Sequence, residues 1–158
     1  MNMKHLVMVC GVPGSGKTTW IKEQQKKFGG IHISRDEIRF SMVLETDEYF
    51  SRETEVFEVF IEKIQQAIDN EEEIVYIDAT HISRAARAKV LDRLSLNDYY
   101  LTYVEFLTPY DVCIKQNNKR TGRAKVPENV IRRMYWQRDC HYENFGKYEY
   151  SLKTISKE

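Results

Sequence analysis

The sequence predicts an α/β fold in which a parallel sheet carries helices on both faces. Short apolar runs rich in β-branched and aromatic residues alternate along the chain with longer segments whose apolar residues recur at helical spacing. Strands that alternate with helices in this way form parallel sheets, because each helix carries the chain back across one face. A chain of 158 residues is long enough for one domain and too short to suggest two. We therefore expect a single domain spanning residues 1–158.

Five strands and six helices follow from this alternation. The expected strands are residues 4–10, 31–33, 73–78, 100–107 and 149–155. The expected helices are residues 17–27, 35–43, 53–69, 83–95, 109–118 and 127–138. Several boundaries carry chemical signals: Gly29 follows the first helix as a C-cap, and Ser34 with Glu37 forms a capping box at the second. Pro127 suits the first position of the sixth helix.

The stretch "GVPGSGKT", residues 11–18, joins the first strand to the first helix. Its Gly-x-x-x-x-Gly-Lys-Thr spacing between a strand and a helix is that of a P-loop, in which glycines let successive N–H groups converge on a phosphate at the helix N-terminus. We expect Lys17 to reach the β- and γ-phosphates of ATP and the Thr18 hydroxyl to ligate Mg2+. The expected nucleotide-binding residues are Gly11, Pro13, Gly14, Ser15, Gly16, Lys17, Thr18 and Thr19. These features refine the fold class to a three-layer P-loop NTPase.

A carboxylate and an arginine follow the second strand in "ISRDEIRF". Asp36 and Arg39 are three residues apart and share one face of the second helix, at the sheet edge that also holds the P-loop. Such a carboxylate can accept the proton of an attacking hydroxyl, while the arginine holds the acceptor or the transferred phosphate. Alternatively, an acid in a first helical turn does no more than complement the helix dipole.

A second carboxylate ends the third strand in "IVYIDATHI". Asp78 at this position could order Mg2+ through water, orient the substrate or another side chain, or serve the structure alone. His81 lies nearby but has no partner at metal-ligand spacing, so we expect it to form a hydrogen bond or contact the substrate.

A basic segment, "NNKRTGRAKVP" at residues 117–127, joins the fifth and sixth helices. Its guanidinium groups, on Arg120 and Arg123, suit a lid that closes over the triphosphate and stabilises charge on the transferred group. A solvated surface loop is the alternative. Residues 112–138 hold eight basic residues and one acid, whereas residues 45–73 hold eleven acids and two basic residues. The sequence therefore predicts that phosphates bind beside the basic segment.

Composition restricts the setting of the chain. Lys and Arg together number 24, as do Asp and Glu, so the formal net charge is zero. The three cysteines are odd in number and far apart, which predicts no disulfide framework and favours the reducing cytoplasm. No apolar run approaches a membrane-spanning length or forms a signal peptide, so we expect a protein that does not enter membranes. Late aromatic residues would support base stacking or simply pack the core: Tyr135, Trp136, Tyr142, Phe145, Tyr148 and Tyr150.

Four stretches taken together resemble the kinase domain of phage-type polynucleotide 5′-kinases in order and spacing. They are "GVPGSGKTTW", "ISRDEIR", "IDATHIS" and "NNKRTGRAKVPENVIRRMYWQ", and the resemblance covers about residues 4 to 138. The P-loop is common to many enzymes, whereas "RDEIR" and the basic stretch are far more selective. The Asp-x-Asp-Gly-Thr motif of the phosphatase domain that accompanies this kinase in phage enzymes does not occur in the sequence, so a kinase alone is expected.

The resemblance implies an adenylate-kinase-like P-loop fold and ATP-dependent transfer of the γ-phosphate to a 5′-hydroxyl end of DNA or RNA. Asp36 would be the general base, Arg39 would grip the acceptor-side phosphate, and either Arg120 or Arg123 would be the lid arginine. Asp78 and Thr80 match the family's Asp-x-Thr-Asn stretch near the acceptor, but His81 replaces its asparagine. Two alternatives remain open: a P-loop kinase of a small-molecule hydroxyl such as a sugar, nucleoside or antibiotic, and a nucleotide-binding ATPase without a phosphoacceptor.

Overall fold

A computed structural model describes residues 3–138 and 150–155. The strands are β1 His5–Cys10, β2 Ile31–Ser34, β3 Ile74–Asp78, β4 Tyr100–Phe106 and β5 Tyr150–Ile155. The helices are α1 Lys17–Phe28, α2 Arg35–Met42, α3 Glu53–Asp69, α4 Arg84–Leu91, α5 Tyr110–Asn118 and α6 Glu128–Gln137, with a single 3-10 turn at Gly122–Ala124. Among the described residues no helix is both long and apolar enough to cross a bilayer.

The five strands form one parallel sheet in the order β2-β3-β1-β4-β5. Strand β1 therefore lies in the centre, and β3 lies directly beside it with His5 opposite Ile74. Strand β2 pairs with the far side of β3, so that Ser34 lies opposite Asp78. Because all strands run the same way, the residues that follow β1, β2, β3 and β4 meet at one edge of the sheet, where ligands of open α/β sheets bind.

Both faces of the sheet are covered, as the sequence predicts. Alternate residues of β1 point to opposite faces, so Leu6, Met8 and Cys10 pack in the cluster that contains α3 and α4. Val7 and Val9 pack on the other face with Ile21 of α1. A third cluster, which joins the P-loop to α5 and α6, contains Val12, Cys113 and Ile131. The three-layer α/β arrangement is thereby confirmed.

Element boundaries agree with expectation within two residues except at α4. The expected helix 83–95 is helical only from Arg84 to Leu91, because the chain then passes into turns in which Leu94 bonds the carbonyl of Leu91. The caps at Gly29 and Ser34 are confirmed, and the Ser34 hydroxyl accepts from the N–H of Glu37 at 3.2 Å. Pro127 precedes α6 as its N-cap residue, and the prediction that it is the first helical residue was wrong. Cys140 and the aromatic residues 142, 145 and 148 lie outside the described residues.

Candidate active site

The loop between β1 and α1 has a backbone that only glycine can follow at its tightest points. Gly14 and Gly16 have φ values of 83° and 99°, in a region that side chains with a Cβ rarely adopt. A Cβ on Gly14 would also collide with the carbonyl oxygen of Cys113 in α5. The loop is fixed from outside by the buried Thr108, whose hydroxyl donates to the Ser15 carbonyl at 2.7 Å. This preformed concavity at a helix N-terminus fits an anionic phosphate.

Lys17, the first residue of α1, folds its ammonium group back into the loop. Its Nζ donates to the carbonyl oxygens of Gly11 at 2.8 Å and Val12 at 2.9 Å. Burial lowers the pKa of Lys17, while the charges of Asp78 and Asp36 oppose that shift. Asp78 ends β3 and Asp36 follows β2, so both carboxylates lie at the same edge of the sheet as Lys17. The group that the P-loop needs for phosphate oxygens is present, held in place by carbonyls that a phosphate would replace.

Asp78 at the end of β3 connects the P-loop to β2. Its Oδ2 accepts from the Thr18 hydroxyl at 2.8 Å and lies 2.8 Å from Nε2 of His32. Burial disfavours the charged form of Asp78, yet hydrogen bonds from His32 and Thr18 and the charge of Lys17 outweigh it, so the pKa of the carboxyl lies below its ordinary value. An ionised carboxylate and a threonine hydroxyl are oxygen ligands suited to Mg2+. The residues present fit a magnesium ion shared with bound phosphates.

Asp36 in the first turn of α2 is held on one side only. Its Oδ1 accepts from Nη1 of Arg39 and, at 2.9 Å, from the hydroxyl of Tyr49. Burial, then the nearby Asp36 charge, raises the pKa of Tyr49 to about 12, so the phenol stays protonated and can donate. Oδ2 accepts no hydrogen bond from any residue that the structure describes, and 57% of the side chain is exposed. One oxygen is thus anchored and the other is open to solvent.

Arg39 does not have the free guanidinium that a phosphate grip requires. Its Nε and Nη2 donate to the carboxylate of Glu53 at 3.1 and 2.8 Å, and its side chain is only 7% exposed. In this arrangement Glu53 and Asp36 neutralise the cation, and Arg39 holds Oδ1 of Asp36 through Nη1. A contact of Arg39 with an acceptor phosphate stays a prediction. Glu53 opens α3 and also accepts from Arg35 at 2.7 Å, so it ties α3 to α2.

The segment 117–127 forms a closed loop against α2. The Asn117 side chain bonds both the N–H and the C=O of Val126, at 2.9 and 2.7 Å, which pins the two ends of the loop together. Arg123 donates to the main-chain oxygens of Phe40, at 2.7 Å, and of Val43. These carbonyls end α2, where helix carbonyls lack intrahelical partners and carry partial negative charge. Donors of the Arg123 guanidinium are thus engaged at the end of α2.

Arg120 is the other arginine that the sequence offers for the lid. Its guanidinium forms no hydrogen bond or ion pair with any described residue, and it is partly exposed. Its charge acts on Lys17, whose pKa it helps to lower. The assignment of the lid arginine to Arg120 or Arg123 stays a prediction.

His81 is buried, and its side chain bonds the backbone of β1. It is 3% exposed, its Nδ1 lies 2.7 Å from the Val9 carbonyl, and burial lowers the pKa of the imidazole to about 4. The hydrogen bond that the sequence predicts is present, while a contact of this buried side chain with the substrate stays untested. Thr80 contacts the P-loop through its backbone, because its carbonyl oxygen accepts a hydrogen bond from the N–H of Gly11 at 2.9 Å. Pro13 lies in the loop, and Thr19 is an exposed residue in the first turn of α1.

No local sequence motif identifies three further residues of the site, His32, Glu53 and Thr108. His32 is recognisable only once β2 is known to lie beside β3, because its partner Asp78 is 46 residues away. Glu53 has the appearance of an ordinary acid at a helix start, and Thr108 follows a strand like many loop threonines.

Comparison with known structures gives the same fold. A gluconokinase from Sinorhizobium meliloti aligns with 99% of this chain and 84% of its own, at 14% identity and a TM-score of 0.63. A sugar kinase from Janibacter aligns with 97% of this chain and 85% of its own, at 19% identity and a TM-score of 0.65. A chain of the Pnkp1/Rnl/Hen1 RNA repair complex aligns with 87% of this chain and 44% of its own, at 19% identity and a TM-score of 0.69.

The family comparison covers most of the sequence. A family model described as an AAA domain, AAA_33, matches residues 6–139, which include the P-loop, Asp36, Asp78 and the segment 117–127. This match and the shared fold agree with the phosphate-binding geometry of the loop after β1. The chain belongs to the AAA_33 family of AAA domains and has the fold of a P-loop kinase.

Proposed function

We propose that the protein is an ATP-dependent kinase that transfers the γ-phosphate of ATP to the 5′-hydroxyl end of DNA or RNA. The observation that carries this proposal is the half-anchored Asp36, whose free, exposed oxygen shares with Lys17 the carboxyl edge of the sheet. A phosphoryl transferase needs such a carboxylate to take the proton of the attacking alcohol. A protein that only binds nucleotide has no attacking hydroxyl for such a carboxylate to deprotonate.

The chain's own groups would divide the reaction between them. The 5′ oxygen of the acceptor attacks the γ-phosphorus, the bond from that phosphorus to the β,γ-bridging oxygen breaks, and ADP leaves. Asp36 takes the proton of the 5′ hydroxyl through its free oxygen. Lys17 leaves the Gly11 and Val12 carbonyls for phosphate oxygens, and Arg120 stabilises charge on the transferred group. Mg2+, held by Thr18 and Asp78 together with phosphates, would supply further neutralisation of that charge.

Two observations support a nucleic acid as the acceptor. The segment that carries Arg120 also exposes Lys119 and Lys125, and α6 beyond it exposes Arg132 and Arg133. Such a surface attracts a phosphate backbone, whose binding would weaken as salt is added. The similarity to a chain of an RNA repair complex points the same way.

A second candidate is a kinase of a small-molecule hydroxyl. It is favoured by the sugar kinase and gluconokinase structures, which align with nearly the whole of this chain and with most of their own. The nucleotide side would be the same in both candidates, including Asp36 as the base. Only the acceptor distinguishes them.

The test is transfer of labelled γ-phosphate from ATP to 5′-hydroxyl DNA and RNA oligomers, with 5′-phosphorylated oligomers as negative controls. The variant Asp36→Asn should lower the rate by about 100-fold or more, the usual contribution of general base catalysis. The matched control is Asp111→Asn, because Asp111 is also an exposed acid in a first helical turn. It removes the same helix-dipole interaction without touching the site.

The outcomes separate the candidates. Label on 5′-hydroxyl oligomers alone, lost in Asp36→Asn and kept in Asp111→Asn, supports the proposal. No oligomer labelled, but label on gluconate or another sugar, would move the assignment to the small-molecule kinase. ATP hydrolysis unaffected by any hydroxyl compound would leave the nucleotide-binding ATPase.

A further inference from the structure

Aromatic rings lie close to Asp36, the proposed general base. The Tyr49 hydroxyl that donates to Asp36 belongs to a ring that meets Phe50 edge-on, with centroids 4.5 Å apart and planes at 82°. The same Tyr49 ring contacts Phe40 at 6.2 Å. The Arg39 guanidinium lies 4.7 Å from the Tyr49 centroid and 5.5 Å from that of Phe50. The loop between α2 and α3 thus places a connected group of rings directly beside the carboxylate.

Phe50 is the member of this group that faces solvent. It is 54% exposed, and Leu44 in the same loop is 68% exposed. An exposed ring alone is ordinary on a protein surface. This ring, however, contacts Tyr49 and Arg39, and both of these residues also bond Asp36. The position of the Phe50 ring relative to Asp36 is therefore set by the same residues that hold the carboxylate.

We infer that Phe50, supported by Tyr49, is the stacking platform for the 5′-terminal base of a nucleic acid acceptor. The inference rests on the proposed function and names the part of the acceptor that this loop recognises. A terminal nucleotide with its 5′ oxygen at Asp36 carries its base a short distance away, within reach of the rings that adjoin the carboxylate. Aromatic side chains stack on any base, so the platform gives affinity for nucleotide ends without choosing among sequences.

The loop exposes three acids, Glu45, Asp47 and Glu48, so it suits the terminal base and not the phosphates of the acceptor. Asp36 and Glu53 neutralise Arg39, so the cation supports the rings and does not compete for the acceptor's phosphates. The acceptor backbone would then be held by the basic segment beyond α2, where Arg123 packs 4.6 Å from the Phe40 centroid. Base and backbone would thereby be recognised by adjoining parts of the molecule, since Phe40 contacts both Arg123 and Tyr49.

The test compares two 5′-hydroxyl oligomers that differ only at the first position, one with a base and one with an abasic sugar. Wild-type protein should have a kcat/KM higher by about 5- to 150-fold for the oligomer with the base, the range expected for one stacked base. Phe50→Ala should remove most of this preference by slowing the base-bearing oligomer alone. Phe50→Leu keeps an apolar side chain without a π face and should also lose it, whereas Phe50→Trp should keep it.

Phe28→Ala is the matched control, because Phe28 is 66% exposed at the end of α1 and remote from Asp36 in the fold. It should retain the wild-type preference. Equal preference for the base in wild type and Phe50→Ala overturns the inference, even where transfer to oligomers itself proceeds.

A binding measurement keeps the inference separate from the proposed function. An oligomer with 2-aminopurine as its 5′-terminal base, whose fluorescence is quenched by stacking, is titrated with the protein. Quenching that is lost in Phe50→Ala and kept in Phe28→Ala supports the platform, even if no phosphate is transferred and the kinase assignment fails. Quenching that is absent or indifferent to Phe50 overturns it.

Discussion

Replacing His81 by asparagine tests how a buried neutral imidazole makes the stability of this fold depend on pH. His81 is 3% exposed, and its Nε2 has no hydrogen-bond partner among the described residues. Burial lowers the pKa of its imidazole from 6.5 to about 4. Asparagine is the chosen replacement because it tolerates the φ of 44° found at this position and does not titrate.

The sign and size of the effect follow from the two pKa values. Below pH 6.5 the imidazole of the unfolded chain binds a proton, whereas that of the folded chain binds one only near pH 4. The contribution of neutral His81 to the free energy of unfolding is therefore complete above pH 6.5 and falls as the pH falls towards 4. Lowering the pH from about 7.5 to about 5 should therefore remove about 2 kcal/mol from the free energy of unfolding. In His81→Asn this part of the pH dependence should vanish.

The assay is urea unfolding followed by circular dichroism at the two pH values for both proteins. The loss of unfolding free energy on acidification should be smaller in His81→Asn by about 2 kcal/mol. Other titrating groups are common to both proteins and cancel in this difference. Parallel pH dependences in wild type and variant would refute the argument, because the imidazole would then titrate alike in the folded and unfolded chains.

Three further predictions concern the site. Gly14→Ala should weaken ATP binding at least about tenfold while the circular dichroism spectrum is kept, since its backbone conformation and the adjacent carbonyl exclude a Cβ; calorimetric titration with ATP measures this, and unchanged affinity would contradict it. Arg120→Ala should lower kcat about 100-fold or more with little change in the urea midpoint, whereas Arg123→Ala should cost about 1–3 kcal/mol of stability by losing two bonds to carbonyls; the reverse pattern would exchange their roles. His32→Ala should move the acidic limb of the kcat/KM profile to higher pH, because the hydrogen bond to Asp78 that lowers the carboxyl pKa is gone; an unmoved limb would show that Asp78 does not control it.

The sequence predicts this fold well because its signals are local. Apolar strands, helical periodicity and the glycine spacing of the P-loop each depend on residues a few positions apart, and the structure has the expected parallel sheet with β1 at its centre. The boundary that failed, at the end of α4, is one where the apolar pattern continues through Leu94 and Leu96 although the helix has already opened into turns. A buried turn and the buried end of a helix show the same pattern of apolar residues in the sequence, so the pattern alone does not give the end of α4.

The site is less predictable because its side chains choose partners across the fold. Nothing near Arg39 or Arg123 in the sequence shows that Glu53 saturates the first or that the end of α2 captures the second, 80 residues away at Val43. The motif positions Lys17 and Thr18 are the ones whose surroundings are set by the loop itself, and they lie beside Asp78 as a P-loop requires. Local chemistry predicts which residues matter, and tertiary contacts decide how they are used.

The attachment of Arg123 to α2 has a consequence for how the protein can vary in evolution. Both of its acceptors are main-chain oxygens, so replacing the side chains at positions 40 and 43 leaves the hydrogen bonds possible, provided that the helix still ends there. The contact is therefore sensitive to mutation on one partner only. A lineage could change the surface of α2 to suit a different acceptor while its basic segment stays docked on the same helix end.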